Sequence, residues 1–221
     1  MTDRFQQRKE AVLFKKDKSS IGNWDKKILK LCKKINKQKN YYTTSSCSGR
    51  IIVMIDQEKK GPGLFEFVSH SPIQIDSLRE YIDNSQSTSS DCSPKENLLR
   101  EKGLSQRGDQ LNNNLKSNLK FKQEPPILHI ACKEIEDAEK LLKKVRDCGW
   151  KRSGIISLGK NIVVEIIGTE KLEFPFVQEG KFLVDEKFLK IAIEKANENL
   201  KRGWKRIDNL EKSLESKSLN M

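Results

Sequence analysis

Residues 153–177 read SGIISLGKNIVVEIIGTEKLEFPFV. Three β-branched or aromatic runs, at 153–158, 161–167 and 172–177, follow one another with only short turns between them. Along the chain such strands outnumber crossover helices, so the sheets should be mixed or mainly antiparallel. Upstream, residues 134–148 carry a clear helical period, with Ile135, Ala138, Leu141, Leu142 and Val145 on one face. Downstream, a strand-like piece at 181–184 leads to Asp185, an N-cap for a helix over about 186–213. Phe188, Leu189, Ala192, Ala196, Leu200 and Trp204 give that helix one long inward stripe. The expected class is α+β, with helices packed on sheets and a long carboxy-terminal helix.

The amino-terminal half extends this pattern. Residues 3–16, with Phe5, Val12 and Leu13, and residues 24–38, with Trp24, Ile28, Leu31, Cys32 and Ile35, fit amphipathic helices whose outer faces are basic. Strands are expected at 50–55 and 64–68 around a turn at Gly61, Pro62 and Gly63, followed by a short helix over 73–83. Residues 119–122 and 127–132 read as further strands, the second one buried. Residues 84–118 contain no aromatic residue, no Val and no Ile. Such a segment cannot bury enough apolar area to offset its ordering, so it reads as a flexible low-complexity insertion or a linker, and 214–221 as a disordered tail.

A chain of 221 residues suits one domain with a sizeable core. Its formal charge is +12, from 43 Lys and Arg against 31 Asp and Glu. A field of that sign attracts polyanions, of which nucleic acid is the commonest for a basic protein, although 33% charged residues also fit thermophilic ion-pair networks. Five cysteines without CxxC spacing and two histidines argue against a disulfide framework and a zinc site. With no signal-peptide pattern and no run of about 18 apolar residues, a soluble protein of a reducing compartment is expected. No GxGxxG follows a strand and no P-loop occurs, so the fold should be non-Rossmann.

One stretch resists a core assignment: residues 40–50, NYYTTSSCSGR. It reads as a polar loop, serving either local turns or a ligand. In the second case its hydroxyls and amides converge on a polar group, and Arg50 offers a forked cation to a phosphate or carboxylate. Tyr41 and Tyr42 are candidates to stack on a base. Cys47 lies near a cation, which favours thiolate, but no His and acid complete a thiol catalytic set. Ser69 and His70 stand at a strand end, whereas His129 sits in an apolar strand and reads as a hydrogen-bonded core residue or a site residue. Glu124 is held before Pro125 and Pro126 on a stiffened turn, Ser153 and Gly154 follow Arg152 in a second hydroxyl–glycine turn, and Thr169 and Glu170 close a strand.

Five words stand in order along the chain: NYYTTSSCSGR at 40–50, FVSH at 67–70, FKQEPPILH at 121–129, RSGIIS at 152–157, and Thr169 with Glu170 before Leu172. In these the sequence resembles the wybutosine-synthesising protein 3 family of archaea and eukaryotes, tRNA methyltransferases with a non-Rossmann fold. It departs from that family in the segment 84–118, where Lys95, Arg100, Lys102 and Arg107 are candidates to touch RNA.

The resemblance implies a single tRNA-modifying methyltransferase domain over 1–221, cytoplasmic, with S-adenosyl-L-methionine as methyl donor and no metal. The implied reaction is methylation of the N4 ring nitrogen of a 4-demethylwyosine derivative at guanosine 37, in the anticodon loop of tRNA-Phe. No membrane and no obligate protein partner are implied. Tyr42, Thr44, Ser45, Ser46, Cys47, Ser48, Gly49 and Arg50, with Ser69 and His129, become candidates to hold donor or base. Ser153, Gly154, Thr169 and Glu170 would form the opposite wall, and His70 or Glu124 would take a proton if the nitrogen must lose one. The competing expectations are a tRNA-binding protein without a reaction and, less in keeping with the residues, a zinc-dependent RNA enzyme.

Overall fold

The computed structural model describes residues 3–14, 25–57, 63–78, 118–159, 161–179 and 181–214. In chain order the elements are α1 (Arg4–Leu13), α2 (Lys26–Lys37), β1 (Tyr41–Cys47), β2 (Arg50–Ile55), β3 (Phe65–Ser69), a 3-10 turn (Ile75–Leu78), β4 (Leu119–Glu124), β5 (Ile127–Cys132), α3 (Ile135–Asp147), β6 (Gly154–Leu158), β7 (Ile162–Ile167), β8 (Leu172–Gln178), β9 (Lys181–Phe182) and α4 (Glu186–Ser213). The class is α+β, with four α-helices and two sheets among the described residues. Two expectations are corrected. The hydroxyl-rich stretch is not a loop but strand β1, and the helix expected at 73–83 is a single 3-10 turn in its described part. Of the segments read from the sequence as insertion (84–118) and tail (214–221), 84–117 and 215–221 lie outside the described residues, while their ends are corrected: Asn118 accepts the Asp56 and Glu179 amides and Leu214 is buried in the core.

The chain divides into two compact units. The first comprises Met1–Arg50, Glu124–Lys171 and Glu198–Met221. Its sheet has the order β1-β5-β7-β6, and every neighbouring pair is antiparallel. Side chains alternate across that sheet. Leu128 and Ile130 of β5 and Val164 and Ile166 of β7 enter one core with Ile28, Leu31 and Ile35 of α2, Leu141 and Val145 of α3, and Ile207 and Leu210 of α4. Each fully buried aliphatic side chain of this kind is worth about 1.5–3 kcal/mol over its exposed state. On the other face, Phe5 of α1 packs on Tyr42 with ring centroids 5.1 Å apart, and Arg8 Nη1 donates to Asn161 Oδ1 at 2.6 Å.

Local signals set the helix ends. Asp25 caps α2 by accepting from the Lys27 amide at 3.1 Å. In α3, Asp137 accepts from the Glu134 amide at 3.1 Å and from Asn40 Nδ2 at 3.0 Å, so its buried carboxylate is satisfied. The same helix ends in a Schellman motif, with Gly149 at φ 90° and amide bonds from Gly149 to Arg146 and from Trp150 to Val145. Late in α4, the ring of Trp204 lies beneath the Lys27 ammonium, 4.7 Å from ring centroid to nitrogen.

The second unit comprises Ile51–Gln123 and Leu172–Asn197, with sheet order β3-β2-β4-β8-β9. The registers of β2 with β3, β4 with β8 and β8 with β9 are antiparallel. Its core is aromatic: Phe121 stacks on Phe174 at 5.0 Å, and Phe176 meets Phe182 edge-on at 4.8 Å. Asp185 caps α4 through the Phe188 amide at 2.6 Å, where the sequence places the N-cap. Asn197 clamps Ile73, accepting its amide at 2.9 Å and donating to its carbonyl at 2.8 Å. Among the described residues no helix is long and apolar enough to cross a membrane.

Candidate functional site

A strand made of hydroxyl residues needs a partner that supplies what its own side chains cannot. β5 does so, pairing Tyr41 with Cys132 at one end and Cys47 with Ile127 at the other. The register shifts between Thr43 and Ser45, so Thr44 forms a bulge, and its hydroxyl donates to the His129 carbonyl at 3.4 Å. Before the bulge β1 is buried, and Thr43 is tied to Asn36 through its amide at 2.8 Å. Tyr41 donates its hydroxyl to the Asp137 carbonyl, and burial raises both tyrosines above the ordinary phenol range. At 4% and 2% exposure neither ring presents a face for stacking, which corrects the role expected for them.

Past the bulge Ser45 and Ser46 stay in the ladder opposite His129 and Leu128, and Ser48 and Gly49 make the turn to Arg50, the first residue of β2. Ser48 is wholly buried; its amide donates to the second oxygen of Asp25 at 3.0 Å, so one carboxylate fixes both the start of α2 and this turn. The Ser48 hydroxyl has no hydrogen-bond partner among the described residues. Gly49 sits at φ +98°, where L side chains are strained. A Cβ there would lie 3.1 Å from both the Glu124 carbonyl and Leu200 Cδ2.

Arg50 follows, and its Nε donates to Glu124 Oε2 at 2.6 Å, with both side chains about a quarter exposed. Glu124 is positioned by the corner it begins. Three glycines press on that corner: besides Gly49, a Cβ on Gly168 would come within 2.9 Å of Pro125, and one on Gly203 within 2.6 Å of Pro126. The Gly168 amide also donates to the Pro126 carbonyl at 2.9 Å. Glu124 and Arg50 are therefore brought together on a rigid frame.

The remaining candidates fall into separate places. His129 and Glu165 face each other across β5 and β7, on the sheet face away from the core, with Nε2 and Oε2 3.0 Å apart. That corrects the core reading of His129. Gly154 opposes Glu165 on the other side and adds no side chain. Ser153 is buried and gives its carbonyl to Arg146 Nη2 at 3.0 Å, while its hydroxyl has no partner among the described residues. Thr169 and Glu170 are gripped by Arg206 of α4, through the Thr169 hydroxyl at 3.2 Å and a two-pronged carboxylate pair. Ser69 and His70 belong to the second unit, where the Ser69 hydroxyl closes a tight turn by donating to the Ser71 carbonyl at 2.8 Å and holds His70 at the strand end.

Of the thiols, Cys32 and Cys132 are buried and pushed to about 12 by desolvation, so they are packing groups. Cys47 is half-buried on β1. Sequence reading missed Asp25, Glu165 and Arg206. Glu165 did carry a signal, as the single charge in the run IVVEII, placed to meet the single imidazole in ILHIAC.

Fold and residues together define a class: an α+β protein without a glycine-rich nucleotide loop, built around a hydroxyl-rich strand that runs into an arginine–carboxylate pair. The family model described as Methyltransferase TYW3 matches residues 6–216, and the chain belongs to that family. A protein of Methanocaldococcus jannaschii named tRNA(Phe) 7-((3-amino-3-carboxypropyl)-4-demethylwyosine(37)-N(4))-methyltransferase is 32% identical over 86% of this chain and 90% of the relative. A Danio rerio tRNA wybutosine-synthesizing protein 3 homolog is 33% identical over 97% of this chain and 76% of its own length. Among solved structures, the PH1069 protein from Pyrococcus horikoshii superposes with a TM-score of 0.72 at 28% identity, covering 96% of this chain and 94% of the other.

Proposed function

We propose that the chain transfers a methyl group from S-adenosyl-L-methionine to the N4 ring nitrogen of a 4-demethylwyosine derivative at position 37 of tRNA-Phe. The observation that carries this reading is membership of the methyltransferase family over residues 6–216, a span that includes every candidate site residue. Relatives bearing that activity in their names cover most of the chain.

The donor's sulfonium supplies an electrophilic methyl group for an in-line displacement, so alignment provides much of the rate. The residues present suit its polar amino-acid end: the Ser48 hydroxyl is buried without a partner among the described residues, and Ser45, Ser46 and Arg50 stand beside it in sequence. In this reading Glu124 orients the Arg50 guanidinium as one wall of the pocket. If the attacking nitrogen sheds a proton, a carboxylate or imidazole within hydrogen-bond reach must take it, and Glu124 is the candidate in the same unit as Arg50. The hydroxyls of Thr44 and Ser45 and the imidazole of His129 are candidates for contacts to the modified base. The net positive charge supports a tRNA partner, with the target base leaving its stack to reach the pocket.

The test is direct. Purified protein incubated with donor and precursor tRNA-Phe should add one methyl group to the base at 37, read by mass spectrometry of the digested RNA; an unchanged base would refute the assignment. Ser46→Ala and Arg50→Ala should fold normally yet lose activity by at least about tenfold, and full turnover in both would remove the strand from the site. The basic surface favours a second reading, a tRNA-binding protein without chemistry. Calorimetry with S-adenosyl-L-methionine separates the two, because the enzyme should bind one donor per chain.

A further inference from the structure

α2 is a lysine helix without an acidic residue. Its sequence, KKILKLCKKINK, sends Ile28, Leu31, Cys32 and Ile35 into the core. Lys26, Lys30, Lys33 and Lys37 remain exposed. Spacings of four, three and four residues keep these ammonium groups in one line along the helix. That line is about 16 Å long at 1.5 Å per residue.

Like charges at those spacings repel, and the molecule relieves such repulsion elsewhere. In α4, Glu186 pairs with Lys190 at 2.9 Å and Glu198 with Arg202 at 3.6 Å. In α3, Glu136 stands four residues before Lys140 and Glu139 four before Lys143. On α2, Lys34 reaches Glu211 at 2.7 Å, whereas Lys26, Lys30, Lys33 and Lys37 make no ion pair among the described residues.

The line has defined ends. At its start, Asp25 binds the Ser48 amide, so the first lysine stands beside the turn of the hydroxyl strand. At its finish lies a pocket of about 440 Å³ lined by Asp3, Gln6, Lys9, Asn36, Lys37 and Lys39. Asp3 is taken up by Lys133 at 2.6 Å, which leaves a surplus of positive charge in the pocket. Lys9 is only 6% exposed and donates to the Gln38 carbonyl. Burial holds its ammonium below the ordinary range, and a bound anion would reverse that penalty.

We propose that the exposed face of α2, with the pocket of Lys9, Lys37 and Lys39 at its end, is the docking surface for the sugar-phosphate backbone of the tRNA substrate. The choice of RNA rests on the activity proposed above. The line of ammonium groups runs beside several consecutive phosphates and reads no sequence, as lysine point charges do. A membrane is disfavoured because the apolar face that an interfacial helix inserts into lipid is here spent on the core.

The experiment compares two double variants of equal net charge, Lys30→Gln with Lys33→Gln on α2, and Lys140→Gln with Lys143→Gln on the exposed face of α3. Lys and Gln have similar helix propensity, so both should fold, which circular dichroism checks. Binding of unmodified tRNA-Phe is measured by fluorescence anisotropy over a salt series. The α2 variant should bind at least about tenfold more weakly, with a slope of log K against log salt reduced by about two, while the α3 variant changes less than about twofold. Equal losses in both variants, or none in the α2 variant, would overturn the proposal. So would an α2 variant that loses only its cosedimentation with phosphatidylserine vesicles and keeps tRNA affinity. A wild-type chain that binds tRNA through α2 but transfers no labelled methyl group would sink the proposed activity and leave the docking surface standing.

Discussion

Gly49 concentrates several demands on one residue. It holds φ +98°, and its missing side chain lets the Glu124 carbonyl and Leu200 approach. An alanine there meets backbone on one side and strain in its own dihedral, a cost of about 1–3 kcal/mol. Gly49→Ala should lower the melting temperature by several degrees, and an unchanged calorimetric melt would show that the turn relaxes freely. The identity of such residues was readable in sequence, but their partners were not. Glu124 was recognised as a held carboxylate, yet its pairing with Arg50 spans 74 positions. The sequence around His129 does not separate core from site, because a continuous apolar run hides which face a side chain takes. Its pairing with Glu165 becomes visible only when β5 and β7 are set in register.

Among the elements, α4 poses a contest of known sign. Gly203 lies in the helix interior, where alanine is normally better by about 1 kcal/mol. Here a Cβ would stand 2.6 Å from Pro126 Cγ and 2.7 Å from Cδ, in a ring that cannot fold away. Overpacking of that kind costs about 1–3 kcal/mol, so sterics should win and Gly203→Ala should destabilise. Urea titration measures the sign, and a stabilised variant would mean that helix and corner separate at little cost. α4 was legible down to its Asp185 cap because a helix writes its period and ends locally. β1 was not: Thr and Ser hydroxyls mimic a loop, and the strand exists through its antiparallel partner β5, 85 positions away at the bulge. Strand order had the same problem, since β4 pairs with β8 and no local rule names that partner.

For the molecule as a whole, charge is the property that sequence conveys best and locates least. The value of +12 is compatible with a polyanionic partner, but only the folded helix turns lysines into a line. The pairing of Lys27 with Trp204 gives that line an optical reporter. Trp150 is buried in the core, so Trp204 is the described indole that stands next to the proposed phosphate path. An oligonucleotide settling on the helix would draw the ammonium off the ring and change the colour and yield of its emission. Titration with RNA should therefore give a saturable fluorescence change in the unlabelled protein. Replacing Trp204 with Phe should reduce it, and an undiminished signal would have to come from another tryptophan such as Trp24.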